Sequence, residues 1–169
     1  MAERRIVLYG DPVLREKAAL VDEINQEVKD LVSSMVDTLK KERGFGLAAP
    51  QVGVLKRVFI IDLSSVDLNE SVRVFVNPRI LSTSGEEVEL EEGCLSFPDI
   101  YQRIVRPAEV TLRATDLEGQ QFELVFSGLA ARAVLHENAH LNGVLLIDHI
   151  SPFARTLLRG KLKRLAAAS

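Results

Sequence analysis

The sequence predicts an α+β domain, and the order of its segments is what predicts it. An amphipathic helical stretch comes first, a long series of short strand-like segments follows, and two helical stretches close the chain. Strands and helices that are segregated, not alternating, point to short, mostly antiparallel sheets. With 169 residues, 47% of them apolar, the chain can bury one proper core, so a single domain over 1–169 is expected.

Taken in order, Tyr9-Gly-Asp-Pro-Val-Leu14 is turn-rich. From Ile24 to Lys41 the apolar residues Ile24, Val28, Leu31, Val32, Met35, Val36 and Leu39 keep helical spacing, with charge on the other face and Gly44 as the closing residue. Gly44-Phe-Gly46-Leu-Ala-Ala-Pro-Gln51-Val-Gly53 is too rich in glycine, and too broken by proline, for a helix. Gly46 beside Ala48 and Ala49 suggests a backbone that something approaches closely; an ordinary loop is the alternative. Arg57–Asp62 reads as a buried strand, 64–69 as a polar loop, and 72–76 and 79–81 as short strands on either side of Asn77-Pro78. Glu86-Glu-Val-Glu-Leu90 alternates charged and apolar residues, so its acids belong to the solvated face of a strand. Segments 109–115 and 121–126 alternate across Asp116-Leu-Glu-Gly119 and form a hairpin. Ser127 is placed to cap a helix beginning near Gly128, and Ser151-Pro152 opens a last one.

A net charge of −3 supplies no global attraction to nucleic acid or membrane surface. No apolar run approaches membrane-spanning length, and the first residues lack a secretory apolar core. A lone cysteine cannot form an internal disulfide, so a reducing, cytoplasmic compartment is expected.

The chemistry concentrates in Ala133-Val-Leu-His136-Glu137-Asn138-Ala139-His140-Leu141-Asn-Gly143. On a helix His136 and His140, four residues apart, project from one face and can share a metal ion. Glu137 lies about 100° further round, close enough to act as a general base without being a ligand. A chance meeting of these residues on a buried helix is the alternative, though two of only three histidines fall in the motif. The extended form of this motif would need a third histidine at 146, where the chain has Leu146; Gly143 then reads as a helix C-cap. His149 falls in a turn with no helical link to the pair. The candidate third ligand is Cys94, between Gly93 and Pro98, because a thiolate with two imidazoles suits a divalent transition metal and leaves a position open. A buried structural thiol is its alternative.

Three segments together, Gly44-Phe-Gly-Leu-Ala-Ala-Pro-Gln51, Glu92-Gly-Cys94-Leu-Ser96 and His136-Glu-Asn-Ala-His140, resemble the signature motifs of peptide deformylases in order and approximate spacing. Asp11-Pro-Val-Leu-Arg15, Arg106-Pro107 and 141–148 are also similar to the family, so the resemblance spans nearly the whole chain. It implies a fold of short sheets around the helix bearing the two histidines, and hydrolysis of the N-formyl group from N-formylmethionyl peptides with release of formate. It implies Cys94, His136 and His140 as ligands of one divalent ion, Fe(II) in the cell, with Zn, Ni or Co able to substitute. Glu137 would shuttle the proton, and the Gln51 amide and the Leu95 backbone N–H would hold the oxyanion. Gly46 would let the substrate backbone pair in extended form, while Phe45, Val134 and Leu135 would line the methionine pocket. The basic last helix would contact the ribosome; a solvated face is the alternative. Two positions depart from the pattern, Leu135 and Ala139, where the family usually has Gln and Asp. A silent relative that binds metal without turnover, and an amidase for another N-acyl group, are the competing readings.

Overall fold

The computed structural model describes residues 3–168. Its first helix, α1 (Gln26–Glu42), is capped by Asn25, whose side chain accepts from the backbone N–H of Val28. Its C-terminal end differs from expectation. Arg43, not Gly44, takes the left-handed conformation (φ 54°). Gly44 is needed for space instead: a Cβ there would lie 2.9 Å from Leu39 and 3.0 Å from Leu95.

Seven strands follow: β1 (Gly46–Ala48), β2 (Val58–Asp62), β3 (Val72–Thr83), β4 (Glu87–Cys94), β5 (Phe97–Pro107), β6 (Glu109–Thr115) and β7 (Gln121–Ser127). They form an antiparallel five-stranded sheet, β1-β2-β3-β6-β7, and a separate hairpin, β4-β5. The two short segments expected at 72–81 are one strand, β3, whose register shifts between Val76 and Arg79. Asn77 accommodates the irregularity at φ 50° and pairs its side-chain amide with both the N–H and the C=O of Val21. The strand β5 is the element missing from the sequence reading. Its outward side carries Tyr101 and Val105, both exposed, while Arg106 is buried, so the usual apolar-in, polar-out alternation is hidden.

The helix α2 (Gly128–Leu141) lies between the two sheets, and α3 (Pro152–Ala168) closes the chain. The uninterrupted apolar run Val58–Ile61 is buried on both faces of the sheet. Phe59 and Ile61 pack with Ala130, Ala131 and Val134 of α2, whereas Val58 and Ile60 pack with Leu31, Met35 and Leu39 of α1. A third cluster joins the hairpin residues Phe97, Ile100 and Ile104 to Leu158 and Leu162 of α3. The alanines of α2 let it approach both sheets closely, which brings its polar residues beside the hairpin.

Gly143 follows α2 at φ +72°, and a Cβ there would meet the carbonyl oxygen of Arg15 at 2.5 Å. The N-terminal turn Pro12–Arg15 is thereby seated against the end of the helix, and the Arg15 guanidinium donates to the Gly143 carbonyl. Gly143→Ala is expected to cost about 1–3 kcal/mol. Gly85→Ala, which meets nothing within 4 Å, is expected to stay within about 0.5 kcal/mol of wild type. Urea unfolding midpoints check both; equal midpoints for the two variants would contradict the packing described.

Candidate metal centre

Cys94 stands at the end of β4, where the chain turns into β5, and His136 and His140 project from α2. Their ligand atoms all lie within 4.8 Å of one another. The Nε2 of His140 is 3.4 Å from Cys94 Sγ. The Nδ1 of His136 pairs with Glu92 Oε1 at 2.9 Å, which turns its Nε2 toward the same point. Both histidines are buried, and the donor set of one thiolate and two imidazoles fits a divalent transition metal. His149 is exposed in the short turn Leu146–His149 and is not part of this group.

The surrounding residues explain the orientation of the ligands. Glu92 accepts at Oε1 from Arg106 Nη2 (2.9 Å) and at Oε2 from Arg106 Nε (2.5 Å) and Arg132 Nη1 (2.6 Å), besides its contact with His136. Burial alone would raise its carboxyl, but His136 and Arg106 outweigh burial and hold it well below the ordinary carboxylate range. An ionised Glu92 keeps the His136 proton on Nδ1 and leaves Nε2 free to ligate. Burial also acts first on His136. There the neighbouring Glu137, Cys94 and Glu92 prevail and raise it well above its usual value, a local field that favours a cation. His140 is driven well below its usual value, chiefly by burial and then by His136 and Arg106, so it stays neutral. Its Nδ1 has no hydrogen-bond partner among the described residues, and neither has Asn138 Oδ1. The neighbouring Ala139 has no side-chain polar atom to offer.

Glu137 is 5% exposed, its Oε1 lacks a partner, and burial lifts its carboxyl to about 7. A Cβ on Gly46 would lie 2.8 Å from Glu137 Oε2, so the bare backbone of β1 is what makes room for this carboxylate. Gln51 is buried at the end of the 3-10 turn that follows β1. Its Oε1 accepts from Ala48 N–H at 3.0 Å, and its Nε2 donates to Ser96 Oγ at 3.1 Å and faces Cys94 Sγ at 3.5 Å. Gln51, Cys94, His136 and Glu137 open on a cavity of about 490 Å³ whose walls include Phe45, Gly46, Leu95, Leu129 and Ala133. Leu135 does not line it. One position before His136 on α2, it faces about 100° away and packs with Val134 in the core beneath the five-stranded sheet. The apolar wall comes instead from Leu129 and Ala133, which share the cavity face of α2 with His136 and Glu137.

Three residues of the site carry no role in the sequence reading: Glu92 and Arg106, which stand only within family-like segments, and Arg132. Parity carries a signal for the first. Val88, Leu90 and Glu92 share one face of β4, so a carboxylate at 92 faces inward and needs buried cations. Arg132, one helical turn before His136, answers that need.

Residues 3–156 match the family model described as polypeptide deformylase. The chain belongs to the polypeptide deformylase family. A peptide deformylase of Thermodesulfovibrio yellowstonii is 45% identical over 163 residues, covering 96% of this chain and 98% of the relative. Among solved structures, the peptide deformylase of Legionella pneumophila aligns with a TM-score of 0.89 at 42% identity, covering 99% of each chain. A plant peptide deformylase aligns with a TM-score of 0.90 at 38% identity, covering 96% of this chain and 88% of that one. The α+β class and the helix bearing the two histidines agree with these deformylase folds.

Because Gly46 abuts Glu137, Gly46→Ala is expected to displace the carboxylate while leaving the candidate ligands Cys94, His136 and His140 in place. Metal content should stay at the wild-type level and kcat should fall by about 10². An unchanged kcat would show that Glu137 does not depend on that space.

Proposed function

We propose that Cys94, His136 and His140 hold one divalent ion, Fe(II) in the cell, and that Glu137, Gln51 and the Leu95 backbone N–H carry the chemistry of N-formyl hydrolysis. As a member of its family the chain acts on N-formylmethionyl peptides and releases formate. The observation that carries the residue assignment is the buried, half-unpartnered Glu137 beside three convergent ligand atoms.

When bound, the ion supplies Lewis acidity and an acidified water. With its carboxyl near 7, Glu137 exchanges protons close to neutrality. It takes a proton from the water that attacks the formyl carbon and delivers it to the departing amine nitrogen. Gln51 is held rigid by Ala48 and Ser96, and the N–H that makes the long 3.5 Å contact with Cys94 Sγ passes to the formyl oxygen as negative charge develops there. Leu95 follows Cys94 directly, which places its backbone at the same wall. Phe45, Leu129 and Ala133 exclude water and offer apolar surface to the methionine side chain. Gly46 leaves the edge of β1 open to an extended substrate.

The deciding assay compares formyl-Met and acetyl-Met peptides with protein loaded with metal anaerobically, since a thiolate ligand beside Fe(II) is open to oxidation. Turnover of the formyl peptide alone is expected. Preference for the acetyl peptide points to another N-acyl group, and no turnover by metal-loaded protein points to a silent relative. Glu137→Gln should retain the metal and lose about 10²–10⁴ in kcat. Retained activity, or lost metal, contradicts the proton-shuttle role.

We also propose that α3 docks on the ribosome. Arg155, Arg159, Lys161, Lys163 and Arg164 lie on a helix without a single acid, whereas the chain as a whole is at −3, and Phe153 and Leu157 stand 73% and 70% exposed beside them. Among the described residues no helix is long and apolar enough to cross a membrane. The use of a reduced thiolate supports a cytoplasmic or organellar setting. Ribosome binding should weaken with salt and vanish on deletion of 155–169; binding that survives the deletion removes this part of the proposal.

A further inference from the structure

The metal centre is assembled from two parts of the fold that share no strand pairing. Cys94 belongs to the β4-β5 hairpin, whereas both histidines ride on α2, which packs against the five-stranded sheet. Something must fix the hairpin against the helix. Arg132 makes three bonds that do so: Nη1 donates to Glu92 Oε2 (2.6 Å) and to the Ile104 carbonyl (2.8 Å), and Nη2 donates to the Val88 carbonyl (2.6 Å). Val88 and Glu92 lie on β4 and Ile104 on β5, so one guanidinium spans the hairpin. Its place in the sequence matters as much. Arg132 sits one turn before His136 on α2, and Glu92 sits two residues before Cys94 on β4. The Arg132–Glu92 bond is therefore the rung next to the one that His136 and Cys94 form.

We propose that Arg132 is a positioning residue for the metal centre, acting through Glu92 to set the His136 ring and the approach of α2 to Cys94. The geometry argues against a role in stability alone. Arg106 already gives Glu92 a bidentate partner at 2.5 and 2.9 Å, so a second guanidinium is not needed to neutralise the carboxylate. Arg132 is also 7% exposed, and a well-packed apolar side chain at such a site is often as stabilising as a buried ion pair. What an apolar residue lacks is direction. A planar fork that bonds three acceptors at once admits one separation and one rotation of α2 over the hairpin. Arg132 lines the catalytic cavity as well, so the same side chain ties the cavity wall to the ligand set.

The inference rests on the proposed ligand set, and the test separates the two. Co(II) affinity is measured on the apo-protein by chelator competition for wild type, Arg132→Met, Arg132→Lys, Glu92→Gln and the double variant Arg132→Met/Glu92→Gln, with urea unfolding of each apo form alongside. Each single removal should weaken Co(II) binding by about 10–100-fold. Arg132→Lys, which keeps a donor but cannot span the hairpin, should fall between Arg132→Met and wild type. The double variant should bind close to the weaker single one, because both act on the same imidazole. Co(II) affinity of Arg132→Met equal to wild type, or losses that multiply in the double variant, overturns the proposal; should Arg132→Met fail to fold, Arg132→Lys completes the cycle under the same criteria. A wild-type protein that does not bind Co(II) at all would instead refute the ligand set.

Discussion

One buried carboxylate organises this molecule. Glu92, 6% exposed, sits where α2, β4 and β5 meet, and it accepts from Arg106, Arg132 and His136 at once. A buried carboxylate without such partners would be too costly to keep. With them it stays ionised, orients an imidazole and holds the cysteine-bearing hairpin to the histidine-bearing helix. Arg106 supplies the compensating charge in a bidentate pair, and Arg132 adds bonds that run on to the backbone of β4 and β5.

Next to this satisfied network lies a group left deliberately incomplete. Glu137 shares α2 with His136, yet its Oε1 has no partner, and burial lifts its carboxyl to about 7. Two carboxylates within one small site are thus pushed apart in proton affinity by their surroundings. An imidazole and the Arg106 guanidinium keep Glu92 charged, while burial beside the bare backbone of Gly46 leaves Glu137 able to bind and release a proton. That division suits the roles proposed for them: Glu92 as architecture, Glu137 for proton transfer.

Much of this was legible in the sequence because it is local. Helical spacing places His136 and His140 on one face, Gly143 marks a helix end, and the run Val58–Ile61 announces a buried strand. What stayed hidden depends on contacts between distant residues. The strand β5 escaped notice because Tyr101 and Val105 face outward while Arg106 faces in, an inversion that makes sense only once Glu92 is known to lie opposite. Leu135 was misplaced for a related reason: adjacency to His136 in sequence is a separation of about 100° on a helix, which sends it into the core. Arg132 gains its meaning only from the hairpin laid across it, whose Glu92, Val88 and Ile104 it bonds. Ala139, where the family usually has Asp, offers no side-chain polar atom. The Nδ1 of His140 has no partner among the described residues, so its ring is oriented by packing and by its Nε2 contact with Cys94 Sγ.

The central claim is that a thiolate from the hairpin and two imidazoles from α2 form a single metal centre. The absorption spectrum of the Co(II)-loaded protein tests it most directly, because a cysteine ligand contributes a thiolate-to-cobalt charge-transfer band in the near ultraviolet. The account predicts that band in the wild type together with the visible bands of a four-coordinate ion, and its loss in Cys94→Ala. A wild-type spectrum without the charge-transfer band, or one that Cys94→Ala leaves unchanged, would contradict it.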